Sequence, residues 1–197
     1  PDAGVKIKYL GTEFIAYRGV FWPFEDSKPL VEEYVINHGE SVLDVCTGTG
    51  NIAIFSAYKG AGRVLAVDAN GMAVKSALAN IRSHGFEGVI EVRLSDMFDN
   101  IGDEEKFDII TGNLPLRNKK ASNSIENSMW DTGLTTHRKF FSSVLKHLNP
   151  GGRIYLSHAK HGAVDEMKNL AESKGFRVVL IGKKSSLKYA TEFYAFE

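Results

Sequence analysis

The sequence predicts an α/β protein built on an open, mostly parallel sheet with helices on both faces. Three observations carry that prediction. Short, nearly continuous apolar runs recur along the chain, as strands buried on both faces require. Stretches with helical apolar spacing lie between them. Breakers separate the two, in a chain of 197 residues with 19 Gly but only 5 Pro.

The first strand is residues 41–46, Ser-Val-Leu-Asp-Val-Cys, followed by a glycine-rich turn and a helix over 51–59. The second strand is 63–68. Residues 70–84 form a longer helix, with Met72, Val74, Ala77, Leu78 and Ile81 on one face and Gly85 as its stop. Strands three and four are 89–94 and 106–111. A helix over 135–148 carries the stripe Phe140, Phe141, Val144, Leu145 and Leu148, and Asn149-Pro150-Gly151-Gly152 closes it. A fifth strand (153–158), a helix (163–174) and two last strands (175–182 and 191–196) complete the pattern. Residues 1–35 read as a flap or flanking helix, ahead of a ligand-binding domain over 36–197. The least regular stretch, 116–134, follows the fourth strand directly. Ligands bind beyond the carboxyl ends of strands in such sheets, so this loop is expected to be functional.

Composition removes several classes. The 24 Lys+Arg balance 24 Asp+Glu, which leaves no global electrostatic case for nucleic acid, and no DNA partner is expected. No apolar run approaches the ~18 residues of a membrane span, and residues 1–20 lack the pattern of a signal peptide. A single Cys excludes an internal disulfide framework and a Cys-based zinc cluster. No His, Asp and Glu group has metal-ligand spacing, so no metal is expected. These features fit a cytoplasmic protein.

The strongest local signal is Asp44-Val-Cys-Thr47-Gly48-Thr-Gly50, where a strand turns into a helix. Gly48 and Gly50 let the backbone approach a ligand and adopt positive φ. The helix start offers N–H groups to an anion, either a diphosphate or an amino-acid carboxylate. Asp44 would repel a diphosphate but suits an ammonium group. Asp68, 18 residues after Gly50, ends the second strand, where a carboxylate can accept both ribose hydroxyls. Asp96, ending the third strand, can accept an adenine amino hydrogen, with Met97 near the ring. The fourth strand runs into Asn113-Leu114-Pro115-Leu116. A planar NH₂ acceptor needs hydrogen-bond acceptors that aim its nitrogen. An Asn carbonyl and a backbone carbonyl held by a rigid Pro turn would supply them.

This pattern resembles the class I S-adenosylmethionine-dependent methyltransferases, from about residue 40 to the end of the chain. The resemblance implies a Rossmann-like seven-stranded sheet of order 3-2-1-4-5-7-6, with strand 7 antiparallel. It places Asp44, Thr47, Gly48 and Gly50 around the methionine moiety, Asp68 and Ala69 at the ribose, and Asp96 and Met97 at the adenine. The implied cofactor is S-adenosyl-L-methionine and the product S-adenosyl-L-homocysteine. Asn113 to Leu116 is similar to the Asn-Pro-Pro-Tyr motif of amino-methyltransferases, with Leu114 and Leu116 replacing a proline and the aromatic. Pro23-Phe-Glu25-Asp26-Ser27, preceded by Phe21 and Trp22, resembles the Pro-x-Glu-Asp-Ser/Thr segment of protein-glutamine N5-methyltransferases acting on peptide-chain release factors, in their short form. Glu126 and Trp130-Asp-Thr-Gly133-Leu134 resemble that family's following loop.

The resemblance implies methyl transfer to a protein glutamine. Asn113 and Pro115 would be catalytic, Asn113 would also border the cofactor, and Leu114, Leu116, Trp22 and Pro23 would line the substrate site. A small activator subunit can accompany the short members. The missing aromatic at Leu116 keeps an RNA base amine or a small metabolite open as acceptor, and Arg117, Lys119 and Lys120 would stand at the mouth. A non-catalytic binding module is the third reading.

Overall fold

The computed structural model describes residues 4–22, 26–115, 117–123, 126, 128–159, 162–185 and 190–197. The chain opens with a hairpin that the sequence reading did not include, β1 (Val5–Tyr9) and β2 (Thr12–Ala16), paired antiparallel. Leu10 and Gly11 turn it at φ 48° and 81°, the two positive values of a type I′ connection. Helix α1 (Lys28–Glu33) follows, with Pro29 in its first turn, where no backbone donor is lost.

The central sheet holds β3 (Ser41–Val45), β4 (Arg63–Asp68), β5 (Ile90–Leu94), β6 (Phe107–Gly112), β7 (Leu148–Ala159), β8 (Val178–Ser185) and β9 (Ala190–Phe196). Their order is β5-β4-β3-β6-β7-β9-β8, as the resemblance implied. The first five are parallel, and β9 runs antiparallel to both its neighbours. Alternate residues of each inner strand enter different cores. Leu43, Val45 and Ile110 pack with Phe140 and Phe141 of α4 (Thr135–Ser143) and Met167 of α5 (Val164–Ser173). Val42, Val64 and Ile109 pack with Leu30 of α1, Ile54 of α2 (Asn51–Tyr58) and Ile81 of α3 (Gly71–Ser83). Burial on both faces is why these strands read as unbroken apolar runs.

Three expectations shift. The inward face of α3 is Ala73, Ser76, Ala77, Asn80 and Ile81, while Leu78 is exposed. The cause is β2: Ile15 N donates to Asn80 Oδ1 at 2.7 Å, and Ser76 Oγ donates to Ile15 O at 2.6 Å. The hairpin thus docks on polar groups that a hydrophobic pattern assigns to solvent. The helix expected over 135–148 ends at Ser143 and continues as a 3₁₀ turn, Val144–His147, leaving Leu145 exposed. Strand β7 then begins at Leu148, before the breakers. It passes through Asn149-Pro-Gly-Gly with a register shift against Phe107 and Ile109, a bulge that tolerates proline and glycine. No helix among the described residues is long and apolar enough to cross a membrane.

Candidate active site

One cavity of about 660 Å³ opens at the carboxyl ends of the parallel strands. Its walls come from the turns after β3, β4, β5 and β6, from the segment before α1, and from the start of α4. Of the expected residues, Thr47, Gly48, Asp68, Ala69, Asp96, Met97, Asn113, Pro115 and Trp22 line it. Pro23 and Leu116 lie outside the described residues. Gly50, Asp44 and Leu114 support the wall without lining it.

The turn after β3 is built on positive φ values: 56° at Cys46, 57° at Gly48 and 79° at Gly50. A Cβ on Gly50 would lie 3.2 Å from Ala77 Cβ, so glycine also allows α3 to pack closely. Gly48 N donates to Asp68 Oδ2 and Asn70 N to Asp68 Oδ1, both at 2.9 Å. The Asp68 carboxylate therefore braces the turn from the end of β4 and faces the cavity with its remaining lone pairs. Burial raises its pKa above the ordinary carboxylate value despite these hydrogen bonds.

Asp44 is fully buried beneath the turn. It accepts hydrogen bonds from Thr47 Oγ1 at 2.6 Å and Thr111 Oγ1 at 3.0 Å. Burial pushes its pKa up to about 7, and the nearby Asp68 adds to the rise, against the lowering effect of the two hydroxyls. The structure thus gives Asp44 an anchoring position one layer below the surface on which a ligand would rest.

Asp96 and Met97 follow β5. Met97 is buried at φ 54°, whereas the Asp96 carboxylate is exposed and pairs with Lys139 Nζ of α4 at 2.7 Å. At the end of β6, Asn113 is held on both edges. Its Nδ2 donates to Asp26 Oδ2 and Ser157 Oγ donates to its Oδ1, each at 2.9 Å. Leu114 is 2% exposed and belongs to the core. The main chain therefore turns at 113–115 with Asn113 and Pro115 toward the cavity.

Sequence reasoning missed Asp26 and Ser157 as partners of Asn113, because they lie 87 and 44 residues away along the chain. Trp130 and Asp131, which the sequence reading placed in a functional loop, form the far wall with Thr135 and Thr136, which it did not single out. Asp131 had a legible signal, an acidic residue just ahead of a helix start. It accepts from Thr136 N at 2.9 Å and His137 N at 3.1 Å, and it bonds His137 Nδ1 at 2.7 Å. Burial pushes the Asp131 pKa up, but these hydrogen bonds outweigh it and hold the carboxyl below its ordinary value. His158, near the end of β7, is buried with its ring 5.8 Å from that of His137 and does not line the cavity.

Three aspartates and no Lys, Arg or His line the cavity among the described residues. That field favours a cation and opposes a diphosphate. S-Adenosylmethionine suits it, with a sulfonium, an ammonium and a single carboxylate. The carboxylate can meet the start of α2, where Asn51 and Ile52 border the cavity.

The sequence matches the family described as Methyltransferase small domain over residues 24–180. It is 33% identical over 152 residues to a protein named ribosomal protein L11 methyltransferase in Desulforamulus reducens, covering 77% of this chain but only 42% of the relative. It is 30% identical over 178 residues to a putative protein N5-glutamine methyltransferase of Methanocaldococcus jannaschii, covering 87% and 88% of the two chains. In fold it is similar to a putative methyltransferase solved in complex with SAH. The TM-score is 0.72 at 18% identity, over 99% of this chain and 56% of that one.

Proposed function

The chain belongs to the methyltransferase small-domain family, a domain that takes S-adenosylmethionine, and from that premise we propose that it methylates an amide nitrogen, that of a protein glutamine. The observation that carries this reading is Asn113. It stands at the end of β6 in the wall of an acidic cavity, with its carboxamide fixed on both edges. When bound, the cofactor supplies an electrophilic methyl on sulfur. The chain supplies position: Gly48 and Asp68 would hold the methionine and ribose side, and Asp96 and Met97 the adenine side. Asn113 and the Pro115 turn would orient the acceptor nitrogen. An amide nitrogen is a weak nucleophile, so holding it in line is the largest service a site can offer.

The relative named for N5-glutamine methylation supports this acceptor, as does the resemblance of residues 23–27 to enzymes acting on release factors. The test is incubation with labelled S-adenosylmethionine and a release factor carrying a Gly-Gly-Gln loop. Label on that glutamine is expected. Its absence, with cofactor binding confirmed by calorimetry, overturns the reading.

A second reading, an RNA base amine, draws on the exposed Arg117, Lys119 and Lys120 beside the cavity. Lys119 Nζ sits 4.2 Å over the ring of Trp130, which lines the cavity. RNA binding that weakens steeply with salt would favour it. For the activator subunit, β5 offers a place: it is an outer strand of the sheet and leaves Leu94 exposed.

A further inference from the structure

A primary amide can sit in a site in two orientations that differ by a flip, and only one turns its carbonyl to accept. At Asn113 the choice is made by two residues distant in sequence. Asp26 is 8% exposed, and its carboxylate can only accept, so it accepts a hydrogen bond from Asn113 Nδ2. Ser157 is 1% exposed and donates to Asn113 Oδ1. The flipped amide would bring its oxygen against a carboxylate oxygen, two acceptors with no proton between them. Donation to a carboxylate also shifts electron density within the amide toward Oδ1, which strengthens it as an acceptor. Oδ1 keeps its second lone pair.

We infer that Asp26 and Ser157 are positioning residues that lock the Asn113 carboxamide with its carbonyl as the hydrogen-bond acceptor for an NH₂ group of the substrate. The inference rests on the proposed methyl transfer at Asn113. It gives the N-terminal segment a role in the acceptor half of the site. Residue 27 ties that segment down: Tyr9 Oη of β1 lies 2.9 Å from Ser27 Oγ, and Asn51 Nδ2 of α2 donates to Ser27 Oγ at 3.3 Å. The hairpin and α2 thereby anchor the residue next to Asp26 in sequence.

The experiment compares the wild-type chain with Asp26→Asn, Ser157→Ala and Asp26→Glu. Methyl transfer to the Gly-Gly-Gln release factor should lose about ten- to a hundredfold in kcat in Asp26→Asn, the scale of one charge-assisted hydrogen bond, and about two- to tenfold in Ser157→Ala, which removes a neutral one. Affinity for S-adenosylhomocysteine and the urea midpoint should stay near wild type, and Asp26→Glu should recover part of kcat. A merely structural role would instead move affinity and midpoint together. A second readout needs no acceptor: exchange of the Asn113 Nδ2 protons with water, followed by NMR and assigned by their loss in Asn113→Ala. Exchange should be slow in wild type and faster in Asp26→Asn. If the release factor is not methylated at all, the proposed function fails and this exchange still decides the lock. Unchanged exchange in Asp26→Asn, or wild-type kcat in that variant, overturns the inference.

Discussion

Replacing Asp44 by Asn should remove much of the dependence of this protein's stability on pH. Asp44 is fully buried, with Thr47 and Thr111 hydroxyls on its two oxygens, and its pKa is pushed from 3.8 to about 7. A carboxyl with a raised folded pKa holds its proton more tightly folded than unfolded. Its contribution is therefore complete below about pH 4 and is lost as pH rises through about 7. At 1.36 kcal/mol per unit, a rise of about three units corresponds to ~4 kcal/mol over the whole range, of which ~2.5 kcal/mol falls between pH 5 and pH 8. Asn keeps the shape and has no charge to bury, and the two hydroxyls can rotate to meet its oxygen and its NH₂. Urea unfolding at the two pH values, followed by fluorescence of Trp22 and Trp130, measures the effect. Wild type should lose ~2–3 kcal/mol more than Asp44→Asn between pH 5 and pH 8. Asp68, also raised by burial, contributes with the same sign in both proteins. If both proteins change alike to within ~0.5 kcal/mol, Asp44 does not carry its proton in the folded state and the argument fails.

The same carboxyl links to ligand binding. A cationic ligand above the turn favours ionised Asp44, so binding of S-adenosylmethionine at pH 7 should release protons, seen as a buffer-dependent heat in calorimetry; equal heats in all buffers would refute this. Gly50→Ala places a side chain at φ 79° and 3.2 Å from Ala77 Cβ. It should cost about 2–4 kcal/mol, the left-handed penalty plus overpacking, read as a lower urea midpoint; a shift under ~0.5 kcal/mol would contradict the packing. Asp131→Ala removes the acceptor of two α4 N–H groups and of buried His137. A loss of about 3 kcal/mol or more is expected by thermal unfolding, and a loss under ~1 kcal/mol would show that the pair contributes little.

The inner parallel strands were legible because burial on both faces leaves an unmistakable mark. The run 63–68 became β4 residue for residue, and the sheet order implied by the family resemblance is the order observed. The turn at Gly48 and Gly50 was legible for a related reason: few residues other than glycine accept φ values of 57° and 79°. The face of α3 was not legible. Ser76 and Asn80 look like solvent positions until β2 is laid against them, and nothing near them in sequence announces that strand. The breakers at 149–152 misled in the same way, since a bulge at the start of a strand tolerates the residues that end a helix.

By itself, then, the sequence determined what depends on local chemistry: strand and helix period, the glycine turn, and an acidic residue at each of three strand ends. These follow from backbone geometry and burial, which act residue by residue. The tertiary structure decided what depends on long-range approach. It set Asp44 beneath the glycine turn with a raised pKa, paired Asp96 with Lys139, and brought Asp26 and Ser157 onto the two edges of Asn113. Hydrogen-bond partners and desolvation are properties of neighbours in space. Residues separated by 44 and 87 positions become neighbours only when the sheet closes over them.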